Sequence, residues 1–137
     1  MSVINLSSYE AWKKLETNND SYLIDTRTKE EVVFIGYPNL EKLNSHYLAI
    51  ELAFYPGMKI NDKFIDILNN IIEDKDKEIF FICRSGARSA MAAELALNAG
   101  YKNCYNIIDG FEGELDSNSQ RNNIAGWKFN KLPWKQN

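Results

Sequence analysis

FFICRSGARSAMAAELALNAG, residues Phe80 to Gly100, is the stretch on which the fold turns. A short apolar run ends at Cys83 and gives way to a polar loop carrying Arg84 and Arg88. An alanine-rich stretch of helical pattern follows and stops at Gly100, a residue suited to the left-handed position that closes helices. Ile79–Cys83 therefore reads as a buried strand feeding a loop and a helix. In open α/β sheets, ligand sites gather at the carboxyl ends of the strands, where this cysteine lies.

Outward from that unit, short apolar runs alternate with helical patterns. Ser7-Ser8-Tyr9-Glu10 has the reciprocal capping-box signature and predicts a helix over Ser8–Thr17, closed by Asn18-Asn19-Asp20. Strands are predicted at Ser2–Leu6, Tyr22–Asp25, Tyr47–Leu52 and Tyr105–Ile108. Lys63–Glu73 has the apolar spacing of an amphipathic helix. Val32–Asn44, interrupted by Gly36 and Pro38, predicts a helix-poor surface excursion. Five short apolar strands interleaved with helices imply an α/β fold with a mostly parallel sheet and helices on both faces. The chain reads as a single domain over residues 1–137, with a core over about 3–113. An irregular tail over 114–137 carries Trp127, Phe129 and Trp134, which are expected to pack back on the body.

Composition narrows the function. A net charge of −3 argues against nucleic-acid binding, so any anion must be attracted locally. No apolar run approaches the roughly 20 residues that span a bilayer, and Met1–Tyr9 lacks a secretory pattern; a cytoplasmic location is expected. Cys83 and Cys104 then read as free thiols. With His46 alone of its kind, no metal-ligand cluster forms, and no cofactor is called for.

At a helix start, unpaired N–H groups and the helix dipole stabilise a thiolate over a thiol. In Cys83-Arg84-Ser85-Gly86-Ala87-Arg88-Ser89, small residues let successive N–H groups converge on an anion. Gly86 admits backbone angles that other residues resist, and Ser89 can hydrogen-bond near the helix start. The arrangement suits an anionic group attached to, or attacked by, sulfur. The plain alternative, a core cysteine, leaves both arginines and the glycine unexplained. Cys104 has no such loop and is assigned to packing. Nothing places His46 near Cys83.

Ile79–Gly113 resembles the rhodanese (sulfurtransferase) family in its strand, its CRSGARS loop, its alanine-rich helix and its Asp109-Gly110-Phe111-Glu112-Gly113 turn. Leu23-Ile24-Asp25-Thr26-Arg27 with Glu30-Glu31 is similar to that family's earlier signature. Gly126-Trp127 and Leu132-Pro133-Trp134 resemble the tail of its single-domain members. Between the two signatures, Gly36-Tyr37-Pro38 and Asn44–Ala53 depart from the family pattern.

The resemblance implies a five-stranded parallel sheet and a catalytic Cys83. That cysteine would take sulfane sulfur from a donor such as thiosulfate and pass it to cyanide, a thiol or a sulfur-accepting protein. Arg88 would bind the donor's oxyanion, with Arg84 at the rim, while Asp25 and Arg27 order the loop. Two other readings compete. Cysteine-dependent phosphatases and arsenate reductases set one residue more between cysteine and arginine than the four, Arg84–Ala87, found here. A non-turnover module that carries persulfide or binds partners would use the same residues.

Overall fold

A computed structural model describes residues 1–137. The strand that delivers Cys83, β7 (Glu78–Ile82), lies in the middle of a five-stranded, all-parallel sheet. It pairs with β8 (Asn103–Ile107) on one side and β2 (Tyr22–Asp25) on the other. β1 (Ile4–Leu6) and β4 (His46–Ala49) form the two edges, giving the order β1-β8-β7-β2-β4.

Alternation along β7 divides the core. Ile79 and Phe81 point into one layer with Phe64 and Leu68 of α3 (Phe64–Ile71) and Ala92, Ala93 and Ala96 of α4 (Ala87–Asn98). Phe80 and Ile82 point into the other, with Ala11 and Leu15 of α1 (Ser8–Thr17) and with Trp127 of the tail. All four strand residues are fully buried. A side chain of that size contributes about 1.5–3 kcal/mol when removed from water. Both faces of β7 are thus covered, which is why its sequence is a continuous apolar run.

The expected α/β architecture, its five strands and the helices on both faces are all present. The Ser7–Glu10 capping box starts α1 as read, with Ser7 Oγ accepting from Glu10 N–H and Glu10 Oε1 accepting from Ser7 N–H. Two readings need correction. Val32–Asn44 has no helix from Gly36 on, but α2 (Lys29–Ile35), started by a second capping box between Thr28 and Glu31 and closed at Gly36, runs into its first residues. The third strand ends at Ala49 rather than Leu52. Beyond it Ile50 and Leu52 still donate to the Asp25 and Thr26 carbonyls, and a small antiparallel hairpin follows, β5 (Ala53–Phe54) with β6 (Lys59–Ile60).

The tail is mostly irregular but not free. Trp127 is fully buried, and its Nε1 donates to the Pro133 carbonyl. β9 (Trp134–Lys135) pairs antiparallel with β3 (Tyr37–Pro38). Phe129 remains exposed, contrary to the expected packing.

Candidate active site

β7 ends at Ile82, and the next residue, Cys83, is almost completely buried. The loop then turns through Gly86, whose φ of +111° lies in the left-handed region. A Cβ there would stand 2.3 Å from the Ile108 carbonyl oxygen just past β8, so only glycine fits. α4 begins at Ala87 with no side-chain cap of the usual kind. Its orphan N–H groups meet sulfur instead: the N–H groups of Gly86 and Ser89 donate to Cys83 Sγ at 3.1 and 3.3 Å. The thiol thus serves as the cap of the following helix, a position that favours negative charge on it.

Ser89 Oγ lies 3.3 Å from the same sulfur. That hydroxyl also reaches the Gly86 carbonyl at 3.1 Å and Asn106 Oδ1 on β8 at 2.6 Å. Asn106 is buried and in turn donates to Asn5 Oδ1 on β1. Sequence reasoning did not single out Asn106. A polar side chain inside the otherwise apolar run Tyr105–Ile108 was its one visible signal.

The two loop arginines have different surroundings. Arg88 makes a bidentate pair with Glu31 of α2, at 2.6 and 2.9 Å. Hydrogen bonds to Glu31 lead in raising the Arg88 pKa, with Glu31 and Cys83 charge adding to the effect. Burial works to raise the Glu31 pKa, but Arg88 and the Thr28 cap outweigh it and hold the carboxyl below its ordinary range. Arg84 is exposed and has no ion-pair partner. Ser85 and Ala87 complete the loop, half-buried and exposed respectively.

Above the loop opens a cavity of about 570 Å³, walled by Arg84 and Arg88 together with Glu31, Glu112 and Arg121. Exposed Phe34, Tyr55 and Met58 also line it. Cys83 lies behind this wall rather than on it. The carbonyls of Cys83 and Arg84 are held by the turn after β8: Phe111 N–H donates to Cys83, and the N–H groups of Glu112 and Gly113 donate to Arg84. Gly110, with φ +63°, makes that close approach possible, since a Cβ would meet the Arg84 oxygen at 2.4 Å.

Asp25 and Arg27 form a fully buried ion pair at the carboxyl end of β2. Asp25 accepts from Arg27 Nε at 2.9 Å, from Nη2 at 2.6 Å and from the Tyr47 hydroxyl at 2.6 Å. Neither residue forms a hydrogen bond or ion pair with the Cys83 loop. The Arg27 guanidinium instead lies 4.3 Å from the centre of the Phe111 ring, whose backbone holds the Cys83 carbonyl. Tyr47 is pushed well above the usual phenol range by burial and by Asp25.

His46 is at the start of β4, paired with Asp20, at the end of the sheet opposite to Cys83. Cys104 is buried within β8, and burial pushes its thiol up to about 11. No three His, Cys, Asp or Glu side chains converge in a way that could hold a metal. No helix is long and apolar enough to cross a membrane.

Comparison with known proteins agrees with this fold. The family model described as the STR4 middle domain matches residues 4–137. An uncharacterized Rickettsia prowazekii protein, RP600, is 44% identical over 98% of this chain and 99% of its own length. The crystal structure of Rv0390 from Mycobacterium tuberculosis superposes with a TM-score of 0.91 at 36% identity, covering 100% of both chains. A sulfurtransferase of Allochromatium vinosum is 26% identical over 79% of this chain and 84% of its own. Further matches include rhodanese-like domain proteins from Arabidopsis thaliana and Staphylococcus aureus.

Proposed function

The chain belongs to the STR4 middle-domain family of rhodanese-like proteins, and from that premise we propose that Cys83 is the sulfur-carrying nucleophile of a thiosulfate sulfurtransferase. The observation that carries the reading is the double N–H donation from Gly86 and Ser89 to Cys83 Sγ. Negative charge developing on the sulfur, or on a persulfide it carries, would meet these fixed donors.

The reaction then has two displacements. In the first, the Cys83 thiolate attacks the outer sulfur of thiosulfate. The new S–S bond forms as the old one breaks, and sulfite leaves with the electron pair. In the second, a thiolate or cyanide attacks the terminal sulfur of the persulfide, and Cys83 departs as thiolate. No net proton, oxidant or reductant is required. Arg84 and Arg88 supply positive charge to the donor's oxyanion, with Ser85, Gly86, Ala87 and Ser89 shaping the cradle. Asp25 and Arg27 support it from beneath through Phe111.

A carrier role within a pathway, with a protein thiol as acceptor, is favoured by the exposed Phe34, Tyr55 and Met58 at the cavity. The four-residue spacing from Cys83 to Arg88 supports transfer of a single sulfur over phosphate chemistry.

The test is mass spectrometry after incubation with thiosulfate. One added sulfur is expected on the Cys83 peptide of the wild type and of Cys104→Ser, and none on Cys83→Ser. A wild type that gains no sulfur but hydrolyses an aryl phosphate would overturn the assignment.

A further inference from the structure

The cavity above the Cys83 loop contains one guanidinium that comes from neither family signature. Arg121 belongs to the tail, yet it shares that wall with Arg84 and Arg88. Its position is built rather than incidental. Arg121 Nη1 donates to the Gly113 carbonyl at 2.7 Å, and the neighbouring Asn122 N–H donates to the Glu112 carbonyl at 2.9 Å. The N–H groups of Glu112 and Gly113 themselves donate to the Arg84 carbonyl. A continuous run of hydrogen bonds therefore ties the tail arginine to the first residue after Cys83.

Charge compensation separates the three arginines. Both terminal nitrogens of Arg88 are taken by Glu31. Arg84 and Arg121 pair with no carboxylate, although Glu30 and Glu112 also line the cavity. Of those two acids, Glu112 faces Lys128, whose pKa burial lowers and Glu112 only partly restores. Arg121 still has hydrogen-bond donors beyond the one given to Gly113, because guanidinium offers five. Arg84, which has no ion-pair partner, and the remaining donors of Arg121 on the same wall suit an oxyanion with several acceptor oxygens.

We propose that Arg121 is a specificity-determining residue, which with Arg84 binds the oxyanion end of the sulfur donor. This rests on the sulfurtransferase reading for the identity of the donor, but anion binding can be measured without sulfur transfer. In the Cys83→Ser protein, thiosulfate binding is followed by chemical-shift changes of the Arg84 to Ser89 amides. Arg121→Gln, which keeps a side-chain donor for Gly113 but loses the charge, is expected to weaken binding by roughly tenfold. Arg121→Lys is expected to recover most of it.

With Cys83 intact, Arg121→Gln should raise the thiosulfate concentration for half-maximal adduct formation. The rate at saturation and the urea midpoint should stay unchanged, which a purely structural tail contact would not produce. Unchanged binding in Arg121→Gln, or absence of thiosulfate binding to the parent protein, overturns the proposal. Arg121-dependent binding without any adduct on Cys83 would instead sustain it and overturn the sulfurtransferase reading.

Discussion

Ser89 shows how few protons the Cys83 site has to distribute. One hydroxyl hydrogen faces three acceptors: Asn106 Oδ1, the Gly86 carbonyl and Cys83 Sγ. When the sulfur is a thiol, its S–H can donate to Ser89 Oγ and leave the hydroxyl proton with Asn106. When it is a thiolate, the hydroxyl gains by turning to the sulfur, since a hydrogen bond to a charged group is worth about 1.5–3 kcal/mol. Ser89→Ala removes that donor and leaves the two backbone N–H groups. Sulfur uptake at Cys83 is therefore expected to slow by roughly 10- to 100-fold, measured by timed quenching and mass analysis. A rate equal to wild type would show that the backbone donors suffice.

Among the helices, α2 was the one the sequence reading missed, and its Glu31 is the partner of Arg88. The sequence Thr28-Lys29-Glu30-Glu31 repeats the logic of Ser7-Ser8-Tyr9-Glu10, yet α2 has no fully buried residue and so lacks the apolar stripe that marked α1. Glu31 has two duties there: Thr28 N–H donates to its carboxylate, and the same carboxylate accepts both Arg88 nitrogens. Thr28→Ala should cost about 1 kcal/mol in urea unfolding through loss of the cap.

The pH dependence follows from the same residue. Glu31 has a folded pKa below its ordinary value of 4.5, where burial resists the shift and Arg88 enforces it. A depressed pKa means that its contribution is full above the ordinary value and is lost as pH falls through the folded one. The Glu31 carboxyl resonance is accordingly expected to titrate below pH 4.5 in the wild type and to move upward in Arg88→Gln. An unmoved titration would mean that the pair does not hold charge in solution.

Across the molecule, the tail and the Cys83 loop form one structure. Trp127 fills the layer beneath Phe80 and Ile82, meets Trp12 edge-on at 5.7 Å, and its backbone N–H donates to the Gly110 carbonyl. Gly110 belongs to the turn that holds the Arg84 carbonyl, so packing of the tail is passed on to the cradle. Trp127→Ala is expected to destabilise by about 3–5 kcal/mol and to slow sulfur uptake as well. Trp127→Phe, which keeps the ring but loses the bond to Pro133, should cost about 0.5–1.5 kcal/mol beyond any lost packing. Full uptake activity in a folded Trp127→Ala protein would show that the two regions are uncoupled.

Local chemistry decided much of this protein. Apolar runs of strand length named all five strands of the sheet, most plainly β7, which is buried on both faces and apolar over Ile79–Ile82. The Ser7 cap named α1, and the short polar loop after Ile82 marked Cys83 as a helix-start sulfur. What neighbours in sequence could not convey was pairing. The sheet order places β2 and β8 on either side of β7, so residues distant along the chain meet at its end. Glu31 thereby reaches Arg88 from 57 positions away, and Asn106 reaches Ser89 from 17. Periodicity and capping record what one segment needs, whereas the partner of a buried arginine or hydroxyl depends on which segments the sheet brings side by side. The strand, loop and helix around Cys83 are written in residues 80 to 100; the partners that tune them, and the tail arginine beside them, are products of the tertiary fold.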